Sequence, residues 1–171
     1  WVLDPSGDFE IDEPQGLVAG TSNDPPYAYG GQKVLGTDLT VDGGYMLNID
    51  SLNAYYATTP AINLKYYDNV KLSAKKWIAF EPTDRASIEI SINGGTSWER
   101  IWQSHIDGLN PEYAWNSLLL DDEVDELASR QENVKFRFSI YYSDNSNVRS
   151  GWNIDNFAIT GLHLTNDIAV R

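Results

Sequence analysis

The chain has no cysteine, one methionine and two histidines among its 171 residues. A disulfide framework, a thiolate metal site and a cysteine nucleophile are therefore excluded. His105 and His163 lie far apart, and no Gly-x-Ser-x-Gly or His-Glu-x-x-His pattern surrounds a nucleophile or a metal, so hydrolytic catalysis has little to stand on and no enzyme is expected. Cations are scarce as well: 12 Lys plus Arg against 25 Asp plus Glu give a formal net charge of -13. That surplus is repelled by phosphate backbones and anionic lipid heads, which argues against nucleic acid and membrane as partners. No run of 18 apolar residues is present, and Trp1-Val2-Leu3-Asp4 is not the start of a signal peptide; any leader is expected to have gone.

What remains is a chain of ordinary globular composition, 42% hydrophobic and 12% aromatic, long enough for one domain with its own core. Sixteen Asp and fourteen Asn make a surface suited to an extracellular or cell-surface protein that meets calcium and salt. Only residues 121–129 read as helix, with Val124, Leu127 and Ala128 forming an apolar face behind an acidic first turn. Elsewhere the period is two. Val70, Leu72, Ala74, Ile78 and Phe80 alternate with polar residues, with Lys76 interrupting the inward row; Ala86, Ile88, Ile90 and Ile92 alternate with Ser87, Glu89, Ser91 and Asn93.

The second run enters Asn93-Gly94-Gly95, a hairpin signal, and residues 98–102 return. Residues 134–140 and 152–160 give two more strong strands, with weaker ones near 8–11, 33–35, 55–58 and 115–120. About eight strands, one helical turn and no strand–helix alternation predict an all-β, two-sheet antiparallel sandwich of jelly-roll type, spanning residues 1–161 with a tail or tether at 162–171.

Several segments occur in a telling order: Gly7-Asp8-Phe9-Glu10, residues 34–39, Thr59-Pro60-Ala61-Ile62, residues 86–91 behind Glu81 and Asp84, Asn93-Gly94-Gly95-Thr96-Ser97-Trp98, and Gly151-Trp152-Asn153-Ile154-Asp155-Asn156. The ordered set resembles a bacterial jelly-roll family related to the MAM domain, found as accessory domains on secreted peptidases and other exported multidomain proteins. The family more often has an acidic residue at position 156 and Trp at position 9. The resemblance implies a non-catalytic sandwich in which a structural calcium ties the first strand to the last through Asp8, Glu10, Asp38, Glu81, Asp84 and Asp155.

Calcium asks for six to eight oxygens, which Asp-rich sandwich loops can supply. Asp155 carries most weight, because a carboxylate leaning inward among Trp152, Ile154, Phe157 and Ile159 needs compensation. The plainer account is that these acids cap turns or lie in solvent. Asp42-Gly43-Gly44 and Asp144-Asn145-Ser146-Asn147 read as ordinary polar connections. Glu89 and Glu99 are expected to face solvent on adjacent strands.

Ten Tyr and six Trp are more than a core of this size requires. In an adjacent pair on a strand one member points outward, so Tyr55, Tyr56, Tyr66, Tyr67, Trp115, Tyr141 and Tyr142 are candidates for a ligand-binding aromatic face. The alternative is that Tyr fits half-buried pleated surfaces anyway. The expected function is a calcium-stabilised accessory domain of a larger secreted protein, a peptidase above all, holding carbohydrate or protein substrate or a neighbouring domain. A carbohydrate-binding module with an aromatic platform is the alternative, and a structural or adhesin-type stalk the second.

Overall fold

The computed structural model describes residues 1–5, 9–39, 55–80, 84–104, 114–141 and 149–165. Twelve strands and one helix are found there: β1 (Val2–Leu3), β2 (Phe9–Asp12), β3 (Val18–Ala19), β4 (Ser22–Asn23), β5 (Val34–Thr37), β6 (Tyr55–Thr58), β7 (Tyr67–Ala79), β8 (Arg85–Ser91), β9 (Glu99–Gln103), β10 (Asn116–Leu120), α1 (Asp122–Ala128), β11 (Lys135–Tyr141) and β12 (Gly151–His163). One five-stranded sheet runs β1-β6-β11-β8-β9, and a second runs β10-β7-β12-β5-β2, with β3-β4 as a separate pair. Every pairing between these strands is antiparallel. The sandwich expected from the alternation is the one observed. The last strand continues to His163, so Leu162 and His163, expected in the tail, pair with Asp68 and Tyr67.

The alternation sets the inner faces. In β8 and β11, Ile88 faces Phe138 and Ile90 faces Phe136, all fully or almost fully buried. The second sheet answers with Val70, Leu72, Trp152 and Ile154. Trp152 joins the layers, its ring centroid 5.5 Å from Phe138 and 5.7 Å from Trp102. The β8–β9 turn uses Gly94 and Gly95 at φ 73° and 103°, which glycine reaches without a Cβ penalty.

Helix α1 lies against β7 through buried Val124 and Ala128. Asp121 caps its first N–H, and Asp125 accepts from the Val70 N–H at 2.9 Å, tying helix to strand. The Trp152→Ala variant should lose about 3–5 kcal/mol of unfolding free energy in a denaturant titration, since a large ring between two sheets leaves a cavity that neither can close. A loss below 1 kcal/mol would show that the sheets collapse onto the gap.

Candidate functional site

The two outer faces of the sandwich differ. The outer face of the second sheet is closed by residues 13–33, which lie across it. The Trp77 indole N–H donates to the Asn23 carbonyl at 2.9 Å, the Trp115 indole to the Tyr27 carbonyl at 3.1 Å, and the Ser150 N–H to the Ser22 hydroxyl at 2.9 Å. Trp115 also meets Trp77 and Tyr29 edge-on.

The outer face of the first sheet is built differently. Residues directly opposite on antiparallel strands share a face. One row across the sheet is Tyr56, Ser139, Ser87 and Gln103, tall at both ends and short in the middle. The next row is Thr58, Arg137, Glu89 and Arg100. On the other side stand Tyr141 and Arg85. The short Ser87–Ser139 pair, its hydroxyls 2.6 Å apart, thus lies between taller side chains as the floor of a pit spanning β6 to β9, about 14 Å at the backbone from three strand spacings; Ser87 is half-buried and Ser139 is buried by its neighbours. A β-bulge at Ile101 returns Arg100 to the face of Gln103, although the two are three residues apart.

One wall is held rigid. The Arg137 guanidinium lies 4.0 Å from the Tyr56 ring centre and 4.3 Å from that of Trp98, and its Nε donates to Glu89. Both partners of this ion pair are largely withdrawn from solvent. Stacking and ion pairing fix the side chain, so the wall meets a ligand already ordered.

The seven aromatic candidates do not form one face. Tyr56 and Tyr141 border the pit. Tyr55 points to the core, Tyr66 and Tyr67 meet His163 at the far end of β7, and Trp115 packs on the opposite sheet; Tyr142 lies outside the described residues. Glu89, expected in solvent, is instead bound to Arg137. Trp98, Arg137, Ser87, Ser139, Gln103 and Arg100 were missed as site residues because only sheet register brings them together.

Of the calcium candidates, Asp8 and Glu81 lie outside the described residues. Among the described residues no three Asp, Glu or His side chains gather as a metal cluster. Glu10 lies on β2 opposite Gly36, Asp38 takes a left-handed backbone at φ 44°, and Asp84 is buried beside β8. Asp155 does not lean inward. The register places it on the outer face of β12, where its carboxylate accepts the Gly30 N–H at 2.9 Å and its neighbour's N–H at 2.6 Å.

The unexpected acid is Asp24, which the sequence hides before Pro25-Pro26 in what reads as a plain loop. It is fully buried; one oxygen accepts the Asn153 side-chain N–H at 2.8 Å and the other has no hydrogen-bond partner. Burial pushes its carboxyl up to about 7, against the lowering effect of Asn153 and with a further rise from the charge of Asp38.

No family model and no curated protein sequence matches the chain. Among solved structures it is similar to TmCBM61 in complex with β-1,4-galactotriose, with TM-score 0.54 and 10% identity over 94% of this chain and 86% of that one. It is also similar to the K1 cleaved adhesin domain of Lys-gingipain from Porphyromonas gingivalis W83, at TM-score 0.46 and 11% identity over 92% and 86%. A third is the xylan-binding module CBM15, at 0.42 and 10% over 96% and 97%. The first likeness is one of fold and confirms the jelly-roll sandwich.

Asp24 makes stability depend on pH. Its folded value lies above the ordinary 3.8, so the stability it contributes is complete below about 4 and is lost as pH rises through about 7. In chelator, Asp24→Asn should be more stable than the parent at pH 8 by roughly 2–4 kcal/mol, with the gap closing toward pH 4. A gap that does not change with pH would mean that this carboxyl ionises freely in the fold.

Proposed function

We propose that the chain is a non-catalytic carbohydrate-binding domain and that the pit on the first sheet is its sugar site. The arrangement of the pit carries this reading: a floor of two hydroxyls, aromatic side chains at two borders, and planar hydrogen-bonding groups at the others. Hydroxyls and amides match sugar hydroxyls, while Tyr rings stack on the apolar face of a pyranose. Glycoside hydrolysis uses two carboxyl groups. On this face Glu89 is held by Arg137, and Asp4 lies one strand further out, opposite Tyr56. Attachment to a larger exported protein, a peptidase among them, with extracellular or cell-surface placement, is the other half of the proposal and rests on the MAM-related motifs.

A structural calcium is a separate proposal. Its support is the unpartnered oxygen of buried Asp24 together with the charge of half-buried Asp38, which acts on it; a cation there would be compensated by both carboxylates, and backbone carbonyls would complete its shell.

Two measurements test these readings. Affinity electrophoresis in gels containing neutral or acidic polysaccharides should retard the parent chain, and the Gln103→Ala/Tyr141→Ala double variant should migrate freely while keeping its melting temperature. Unretarded migration of the parent in every gel would remove the sugar reading. For the cation, calcium at a hundred times its dissociation constant adds about 2.7 kcal/mol, so at pH 8 the parent's melting midpoint should rise by about 5 °C or more and that of Asp24→Asn should not. Equal midpoints for the parent in calcium and in chelator would leave the seat without a metal.

A further inference from the structure

The cover over the second sheet does not run its full length. Residues 13–33 are tied to that sheet at Trp77, Asn153 and Asp155, and they reach Lys75, whose ammonium lies 4.3 Å from the centre of the exposed Tyr29 ring. Further along, outward side chains of three strands are open to solvent: Leu119 on β10, Lys71 on β7, and Thr160 and Leu162 on β12. Short residues lie between them, since Ser73 has Leu119 on one side and Ala158 on the other. The β7–β12 register slips a second time between Thr160 and Leu162, where Asn69 takes a left-handed backbone at φ 52°. There Asn69, Lys71, Thr160, Gly161 and Leu162 line a depression of about 450 Å³. From Lys75 to this depression the strip is about 20 Å long and about 10 Å wide, from six residues of rise and two strand spacings.

We infer that this strip is a second glycan contact, on the opposite face of the sandwich from the pit: a neutral sugar chain lies along β7, with one unit beside Tyr29 and another in the depression between Lys71 and Leu162. This rests on the carbohydrate-binding reading and adds a site to it. The Tyr29 end is ordered before a ligand arrives, because its ring meets Trp115 edge-on and Lys75 donates to the Ser117 hydroxyl at 2.8 Å. Each ammonium has a carboxylate at hand, Asp121 at 3.6 Å from Lys71 and Asp155 opposite Lys75 in the register, so the strip favours an uncharged ligand. Hydroxyl, amide and ammonium groups match sugar hydroxyls, and Leu119 and Leu162 match the C–H faces of the rings. Lysine, serine and alanine, which form the middle of the strip, are depleted at protein interfaces, which argues against a protein as its occupant. An open strip buries less of a ligand than a walled pit and alone is too weak to hold the chain back in a gel; with the pit it raises avidity for a polysaccharide that reaches both faces.

The test is a residue-resolved NMR titration of the labelled chain with neutral β-1,4-linked hexasaccharides of galactose, xylose and glucose. With at least one of them the backbone amides of Lys71, Ser73, Thr160 and Gly161 should shift and saturate, in the parent and equally in Gln103→Ala/Tyr141→Ala, whose pit is disabled. Lys71→Ala/Thr160→Ala, two exposed changes, should weaken the strip's affinity about tenfold while the shifts around Ser87 and Ser139 stay as in the parent. Shifts confined to the pit, or strip shifts that this double variant leaves unchanged, overturn the inference and leave the carbohydrate reading standing. Strip shifts that follow protein concentration without any glycan make the strip a contact between copies and also overturn it. Saturating shifts on the strip with none at the pit keep the inference and remove the pit as the sugar site. If no hexasaccharide shifts either face, both the inference and the reading beneath it fall.

Discussion

The antiparallel pairing of β7 with β12 is the constraint on which the rest depends. Each strand has thirteen residues, and their register slips between Asp155 and Ala158. A slip of one residue ordinarily sends every later side chain to the wrong face. Here Asn156 absorbs the extra residue with a left-handed backbone at φ 48°, so Trp152 and Ile154 before it and Phe157 and Ile159 after it all reach the core. The same bulge leaves Asn153 and Asp155 on the outer side. There they supply the polar groups that Asp24 and Gly30 meet when residues 13–33 close over the sheet.

The two sheets consequently end in opposite states. On the second, large apolar rings such as Trp77 point outward and cannot be left wet, so a loop with its own polar groups is drawn across them. Burying that loop leaves Asp24 in a place where its charge is poorly compensated. On the first sheet the outward positions of β8 and β11 are Ser87, Ser139, Glu89 and Arg137, which satisfy one another: Ser139 is buried, and Arg137 and Glu89 are largely withdrawn from solvent beside Tyr56 and Trp98.

Much of this was legible in the sequence, for a physical reason. Strands such as residues 86–91 and 134–140 have one wet and one dry face, so the period of two is written directly into residue type, and the helix announces itself by its acidic first turn. The site was far less legible. Tyr56, Arg85, Gln103 and Ser139 come from four strands that are distant along the chain, and only register makes them neighbours. The Ile101 bulge defeats simple counting, since residues 100 and 103 belong to opposite faces unless an extra residue is inserted between them. The inward lean expected of Asp155 from its apolar neighbours is not observed, because the strand turns it to the outer side, where residues 13–33 bring the Gly30 N–H to its carboxylate. Asp24 was invisible because a loop's burial depends on what it lands on, here Asn153, and no local pattern reports that.

Composition also averages away the feature that matters most at the pit. A formal charge of -13 describes the field far from the protein, where every ionised group contributes and salt screens over about 8–10 Å. Close to a surface the nearest groups dominate, and strand alternation segregates them: a residue's charge belongs to one face of one sheet, while its sequence neighbours belong to the other. Asp122, Glu123 and Asp125 sit in the first turn of α1, which packs against β7 of the second sheet, whereas Arg85, Arg100 and Arg137 share the outward side of the first. The sequence-level exclusion of polyanions therefore applies to ligands that sample the whole surface.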